Sequence, residues 1–419
     1  MNYSYNEKQF LAIESKKPNI VIIAPAGSGK TSTLVGAIRK YKEENPLARV
    51  VAITFTKKAA EELKTRLRGY AGINSSTIHS WSYQQLEDIG LRKEGVRNAF
   101  TRKIMPDEKI KEILDEICRR RRYNYIKKNE LFFYIMGNYN IDIEDRVKRM
   151  YESIKTEYIE FKENNGLYDF TDLPKLLLDK LDDFEMDIDN IEALFVDEFQ
   201  DVDNIQLEIF NRVNAKKKFY IGDAQQSIYL FRGATPEVLE KLKDFDKMSL
   251  EINYRSYQEI VDFATSFRVL SEENGIPFSN LMESFPSPIK CEKGYGGKVY
   301  SMNKTGSAYE INAYKKFKGE TIIKEMIQDN AMILCRKNKE VKLITELGYP
   351  YVSTIHQAKG LEYKNVIVTD FDTTSEEDKN IAYVGMTRAE EKLLVAEFST
   401  FYKMLQHILR ERPQIENLF

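Results

Sequence analysis

Short apolar runs punctuate the chain, and helix-favouring stretches separate them. Asn19–Ala24 (NIVIIA), Arg49–Phe55 (RVVAITF), Ile191–Val196 and Phe219–Gly222 (FYIG) are dominated by Ile, Val, Phe and Ala. Runs of this kind predict strands covered on both faces, as in a parallel sheet. A second set follows at Lys247–Tyr254, Ala331–Cys335, Val366–Thr369 and Leu393–Ala396. Two strand sets with helices between them predict an α/β protein with two sheets, each with its own core. Between Tyr83 and Gly166 the residues are charged and helix-favouring, with no strand pattern, which predicts an inserted helical subdomain. Residues Asn274–Gly297 are rich in Gly, Pro and Ser and are expected to be loop.

Composition narrows the class. A chain of 419 residues is long enough for two or three lobes. With 42% hydrophobic residues, 31% charged residues and net charge −2, it is ordinary for a soluble protein, and any nucleic-acid groove must be a local patch. The run Arg119-Arg120-Arg121-Arg122 is either a solvated helix face or such a phosphate-contacting patch. Cys118, Cys291 and Cys335 match no metal spacing, so reduced thiols are expected. The N-terminal MNYSYNEKQF has no signal-peptide pattern, and no run approaches the roughly 20 apolar residues of a membrane helix. A cytoplasmic protein without membrane contact is expected.

The first apolar run leads into APAGSGKT, Ala24–Thr31, and then into a helical pattern. Strand, Gly-rich turn and helix are the context in which such a loop cradles phosphate. Backbone N–H groups of Ala26, Gly27, Ser28 and Gly29 approach phosphate oxygens, Lys30 reaches the terminal phosphates, and the Thr31 hydroxyl ligates Mg²⁺. The pattern departs mildly from its usual form in starting with Ala24. The third run ends in FVDEFQD, Phe195–Asp201. A carboxylate at the tip of a core strand suits nucleotide-bound Mg²⁺, and Asp197 fits that role. Its neighbour Glu198 is placed to orient and deprotonate an attacking water.

An ordered series of segments resembles the UvrD/Rep/PcrA-like helicases of superfamily one. It runs Asn6-Glu7-Lys8-Gln9, APAGSGKT, ITFTKKAAEEL (Ile53–Leu63), TIHSW (Thr77–Trp81), YDFTDL (Tyr168–Leu173), VDEFQD, GDAQQSIYLFRGA (Gly222–Ala234), NYRS (Asn253–Ser256), TIHQAKGLEY (Thr354–Tyr363) and YVGMTRA (Tyr383–Ala389). The resemblance implies two RecA-like phosphate-loop NTPase lobes with parallel sheets, residues 1–83 with 166–250 and residues 251–419, and a small helical insertion at residues 84–165. It implies that Gln9 reads adenine and Tyr254 stacks on it. It implies that Gln200 and Gln226 link the γ-phosphate to the DNA path, and that Glu362 contacts nucleotide. Arg255 and Arg388 are implied as arginine fingers, and ATP as the agent that closes the cleft. Phe55, Thr77, His79, Tyr229, Phe231, Arg232, His356 and Lys359 are implied to contact a single DNA strand, with Phe231 standing where many relatives carry Trp. Trp81, beside His79, is a candidate fluorescent reporter of that binding.

Departures from the family pattern shape the expected activity. Gly348–Tyr351 runs straight into the Thr354–Lys359 segment, so the large regulatory insertion of bigger relatives is missing. No nuclease domain is expected in the roughly thirty residues beyond Ala389, and the three cysteines do not make an iron–sulfur set. The expected activity is an ATP- and Mg²⁺-dependent single-stranded DNA translocase and 3′–5′ helicase acting at strands and single–double-strand junctions. The alternative is a DNA-sensing accessory ATPase that regulates a partner nuclease, as in antiphage systems of the Gabija type.

Overall fold

The structure is a computed structural model describing residues 5–123, 125–137, 145–228, 238, 242–274, 287–311, 313, 315–369 and 375–410. It divides into two compact units. One draws on Met1–Ile22, Thr31–Gly222 and Leu230–Met248, the other on Ile23–Lys30, Asp223–Tyr229 and Ser249–Phe419.

In chain order, helix α1 (Glu7–Glu14) precedes β1 (Asn19–Ile23), α2 (Lys30–Glu44), β2 (Val50–Thr54), α3 (Lys57–Arg66), β3 (Ile73–Thr77) and α4 (Ile78–Glu94). Three helices follow, α5 (Asp107–Arg120), α6 (Lys128–Ile135) and α7 (Asp145–Asn165). Then come α8 (Leu173–Asp183), β4 (Ala193–Val196), α9 (Asn204–Asn211), β5 (Lys217–Gly222) and β6 (Asp246–Ser249). The six strands form one sheet in the order β3-β2-β4-β5-β1-β6. Strand β2 is parallel to β3 and β4, and β4 is parallel to β5. Every residue of β2 and β4 is buried, which is why both segments are unbroken apolar runs rather than alternating ones.

The three helices α5 to α7 close around a core of their own. Ile110, Ile113, Leu114 and Ile117 fall at helical spacing on one face of α5 and pack with Leu131, Tyr151, Ile154 and Tyr158. Each such side chain contributes about 1.5–3 kcal/mol on burial. Pro106 precedes α5, and Asp107 and Glu108 occupy its first turn, where the helix dipole favours negative charge. Two arginines of the basic run are held within this subdomain. Arg120 and Arg121 both pair with Glu157 of α7, and Arg121 also donates to Ser153 Oγ at 2.8 Å.

The second unit continues with β7 (Ile252–Asn253), α10 (Gln258–Asn274), β8 (Lys290–Cys291), β9 (Lys298–Met302), β10 (Ser307–Glu310), β11 (Lys315–Lys318) and α11 (Gly319–Gln328). It ends with β12 (Met332–Cys335), α12 (Asn338–Glu346), β13 (Val352–Thr354), β14 (Tyr363–Thr369), α13 (Glu376–Met386), β15 (Ala389–Ala396) and α14 (Phe398–Arg410). Its main sheet runs β11-β10-β9-β15-β14-β12-β13. Neighbours from β9 to β13 pair in parallel, whereas β9, β10 and β11 form an antiparallel meander. Ile323, Ile333, Ile367, Leu394, Phe401 and Leu405 form the centre of its core. The apolar stretch Lys247–Tyr254 is two strands, not one: it splits into β6 and β7, and β7 pairs with β8 in a separate two-stranded sheet. The meander is absent from the sequence reading because its strands are short and carry Lys, Ser and Glu among their apolar residues.

Candidate ATP and DNA site

The phosphate loop leaves β1 and enters α2. Gly27 and Gly29 have φ of +72° and +79°, the left-handed region that glycine enters without a Cβ penalty. The Lys30 Nζ donates to Ala24 O at 3.4 Å. The Thr31 hydroxyl donates to Asp197 Oδ2 at 2.9 Å, across 166 residues of sequence. Asp197 directly follows β4 and is 6% exposed; its Oδ1 accepts from the Glu198 N–H at 3.0 Å. A hydroxyl and a carboxylate brought together in this way are the hard oxygen donors that Mg²⁺ takes. Among the described residues, no group of three or more His, Cys, Asp and Glu side chains forms a metal cluster.

Glu198 stands at φ +51°, a conformation that costs a non-glycine residue about 1–3 kcal/mol and concentrates at functional sites. The Gln200 amide donates to Glu198 Oε2 at 2.6 Å. Gln200 is fully buried, and Gly222 at the end of β5 leaves room for it: a Cβ there would lie 2.6 Å from Gln200 Oε1. Gln9 is 4% exposed and lies in the first turn of α1, where its side chain accepts from Asn6 N at 3.1 Å in a capping box.

In the second unit, Arg255 donates to Glu362 Oε2 at 2.7 Å and to Thr387 O at 3.0 Å. Arg388 is 1% exposed and donates to Val384 O at 2.9 Å and Leu361 O at 3.1 Å. Gln226 is buried, its side-chain amide donating to Asp223 Oδ2 at 2.6 Å, and its backbone carbonyl accepts from Lys359 Nζ at 2.8 Å. Tyr254 is partly exposed and His356 is buried.

Of the residues expected to contact DNA, Tyr229, Phe231 and Arg232 lie outside the described residues. Phe55 is half-buried after β2, and Thr77 caps α4 by accepting from Ser80 N at 3.4 Å. His79 stacks on Phe170, with centroids 5.4 Å apart and planes at 18°. Phe170 is 39% exposed, and Lys57 Nζ lies 5.9 Å from its ring centroid. An exposed ring beside a cation is what a single strand needs for base stacking and phosphate neutralisation. Phe170, inside YDFTDL, was not among the expected DNA contacts, and its ring partner His79 is 91 residues away in sequence. Trp81, the candidate fluorescent reporter, is fully buried.

A phosphate loop followed by a helix, with a strand-end aspartate bound to the loop's threonine, defines a phosphate-loop NTPase. Comparison with known proteins places it more closely. The UvrD/REP helicase N-terminal domain matches residues 5–247, and the UvrD-like helicase C-terminal domain matches residues 349–396. The chain belongs to the UvrD/Rep family of ATP-dependent DNA helicases. It is 24% identical to the Gabija protein GajB of Bacillus cereus, over 96% of this chain and 97% of that protein. It is 29% identical to the ATP-dependent DNA helicase Rep of Buchnera aphidicola, over 81% of this chain and 52% of Rep. A probable DNA helicase II homolog of Mycoplasma capricolum is 24% identical over 99% of the chain and 69% of its own length. Among the described residues, no helix is long and apolar enough to cross a membrane.

Proposed function

We propose that the chain is an ATP-driven single-stranded DNA translocase with 3′–5′ helicase activity, acting in the cytoplasm on strands and single–double-strand junctions. The observation that carries the reading is the hydrogen bond between Thr31 and Asp197 at the end of β4, with Glu198 beside it. In this reading Thr31 and Asp197 hold Mg²⁺, which neutralises phosphate charge, while Lys30 and the N–H groups of residues 26–29 bind the phosphates. Glu198 takes the proton of the attacking water, and the Gln200 amide orients its carboxylate. Gln9 and Tyr254 bind the base, Glu362 contacts the nucleotide, and Gln226 reports on the γ-phosphate. Arg255 and Arg388 neutralise transition-state charge once released from Glu362, Thr387, Val384 and Leu361. Phe55, Thr77, His79, His356 and Lys359 line the strand path, and Phe170 joins them.

The test is the steady-state ATPase rate with Mg²⁺, with and without single-stranded DNA, beside Glu198→Gln. Stimulation by DNA that the substitution abolishes supports a DNA-coupled motor. Tailed duplexes then set polarity, and unwinding from a 5′ tail alone overturns the 3′–5′ assignment. A second reading is favoured by the near-full-length match to GajB, set against coverage of half of Rep. There the chain is a DNA-sensing ATPase that regulates a partner nuclease. A low rate unmoved by DNA, rising when a nuclease partner is added, selects it.

A further inference from the structure

The residue before Tyr254 and Arg255 has no role in the account above, yet it is among the most fully engaged polar side chains in the second unit. Asn253 is 1% exposed. Its Nδ2 donates to Ala26 O at 2.8 Å, within the phosphate loop. Its Oδ1 accepts from Arg255 N and from Ser256 N, each at 2.8 Å. The backbone strengthens the same link, because Tyr254 N donates to Gly27 O at 2.8 Å. Packing leaves no slack: a Cβ on Gly27 would lie 2.7 Å from Asn253 Nδ2 and 2.9 Å from Arg255 Cβ. Ser256, the next anchor, is fully buried and donates to Ala389 O at 2.6 Å.

The two ends of one carboxamide therefore do different jobs. A peptide unit is planar, and in the trans form its carbonyl and its N–H point in opposite directions. Holding Ala26 O fixes the plane of the Ala26–Gly27 peptide and so the direction of the Gly27 N–H, one of the donors a phosphate would meet. Accepting from two successive N–H groups fixes the turn on which the Arg255 side chain stands. We infer that Asn253 is a positioning residue of the ATP site, tying the phosphate loop's Ala26–Gly27 peptide to the backbone of Arg255. The ligand it prepares for is a nucleoside triphosphate. The inference rests on the proposed nucleotide site but does not depend on DNA coupling, polarity or unwinding.

Three variants of the full chain separate the two jobs. Asn253→Asp keeps the acceptor for the turn and replaces the donor with an oxygen facing the Ala26 carbonyl. Asn253→Ser keeps a shorter, uncharged acceptor and has no donor that reaches the loop. Asn253→Ala removes both. The readouts are affinity for a fluorescent ATP analogue, KM and kcat for ATP, and thermal melting. Losing one hydrogen bond to the loop is expected to weaken analogue binding and raise KM about fivefold in the Asp and Ser variants. Their kcat stays near wild type, whereas misplacing Arg255 in the Ala variant lowers kcat about tenfold to a hundredfold as well. If the carboxylate of the Asp variant prevents folding, the Ser variant decides. Folded Asp and Ser variants with lower melting temperature but wild-type analogue affinity overturn the inference and leave the ATP site standing. A wild-type chain that binds no nucleotide takes both down.

Discussion

Two acidic segments of the first unit look alike in sequence and behave differently in the fold. YDFTDL carries Asp169 and Asp172, and VDEFQD carries Asp197, Glu198 and Asp201. Asp169 is 1% exposed and meets Lys162 Nζ at 2.7 Å, while the same ammonium reaches Asp172 at 2.7 Å. Tyr158 donates to Asp169 at 2.9 Å, and the Thr171 N–H and hydroxyl add 2.8 and 2.6 Å bonds. Burial works against the Asp169 charge, but Lys162 and these donors overcome it and hold the carboxyl below its ordinary range. Burial, and then the charge of Asp169, pushes the Tyr158 hydroxyl up. Asp197 accepts from the Thr31 hydroxyl and from the Glu198 N–H, and Glu198 accepts from the Gln200 amide. Acid neutralised by a lysine of its own chain is architecture. The second segment places its first acid against the threonine of the phosphate loop, where the proposed chemistry needs it.

Substitutions break this contrast in opposite ways. Glu198→Gln is expected to lower the ATPase rate by about 10²–10⁴, the range of a general base, with an unchanged melting curve. Lys162→Met does the reverse. It strands a buried carboxylate at a cost of about 3–5 kcal/mol, read by urea denaturation, while folded molecules keep wild-type ATP turnover.

The same pair sets an acid limb of stability. A carboxyl whose folded pKa lies below the unfolded 3.8 binds fewer protons in the folded state. Its contribution is complete above that unfolded value and drains as pH falls through the folded one. Denaturation series on either side of that window show the step in the wild type, and the double variant Lys162→Met/Asp169→Asn lacks it.

Phe170→Ala sharpens the comparison from the DNA side, since this ring sits inside the architectural segment and faces outward. It is expected to weaken single-strand binding by about 1–3 kcal/mol with little change in ATP affinity, read by fluorescence anisotropy. The smallest effect belongs to Arg120→Gln/Arg121→Gln. These exposed ion pairs with Glu157 contribute about 0–1 kcal/mol, and the salt slope of DNA binding is expected to stay put.

The phosphate loop and the acidic strand end were legible because local spacing carries their chemistry: glycines at fixed offsets, Lys-Thr opening a helix, acid closing an apolar strand. The central strands β1, β2, β4, β5, β12, β14 and β15 were legible for a similar reason, since burial on both faces writes a continuous apolar run, whereas β3 and β13, parallel but short and carrying Ser, Asn and Thr, were not. What pairing over long distance decides was not. Neither the stack of His79 on Phe170 nor the grip of Asn253 on Ala26 leaves a trace in local pattern. The meander β9–β11 escaped because the end of a sheet needs only part of its residues apolar. Trp81 adjoins a segment of interest yet points inward, a choice set by helical phase rather than by neighbours in sequence.

That meander ends in β11, the edge strand of the second sheet, whose sequence is Lys-Lys-Phe-Lys. Phe317 turns inward against Tyr300, with centroids 6.0 Å apart, and Lys315, Lys316 and Lys318 are exposed. A bare edge offers N–H and C=O groups to any passing strand, and a row of ammonium groups repels a second copy presenting the same edge. Colloidal behaviour is thus expected to depend on four residues: the lysines oppose sheet-to-sheet pairing between crowded copies, and exchanging them for threonine is expected to raise aggregation, read by light scattering.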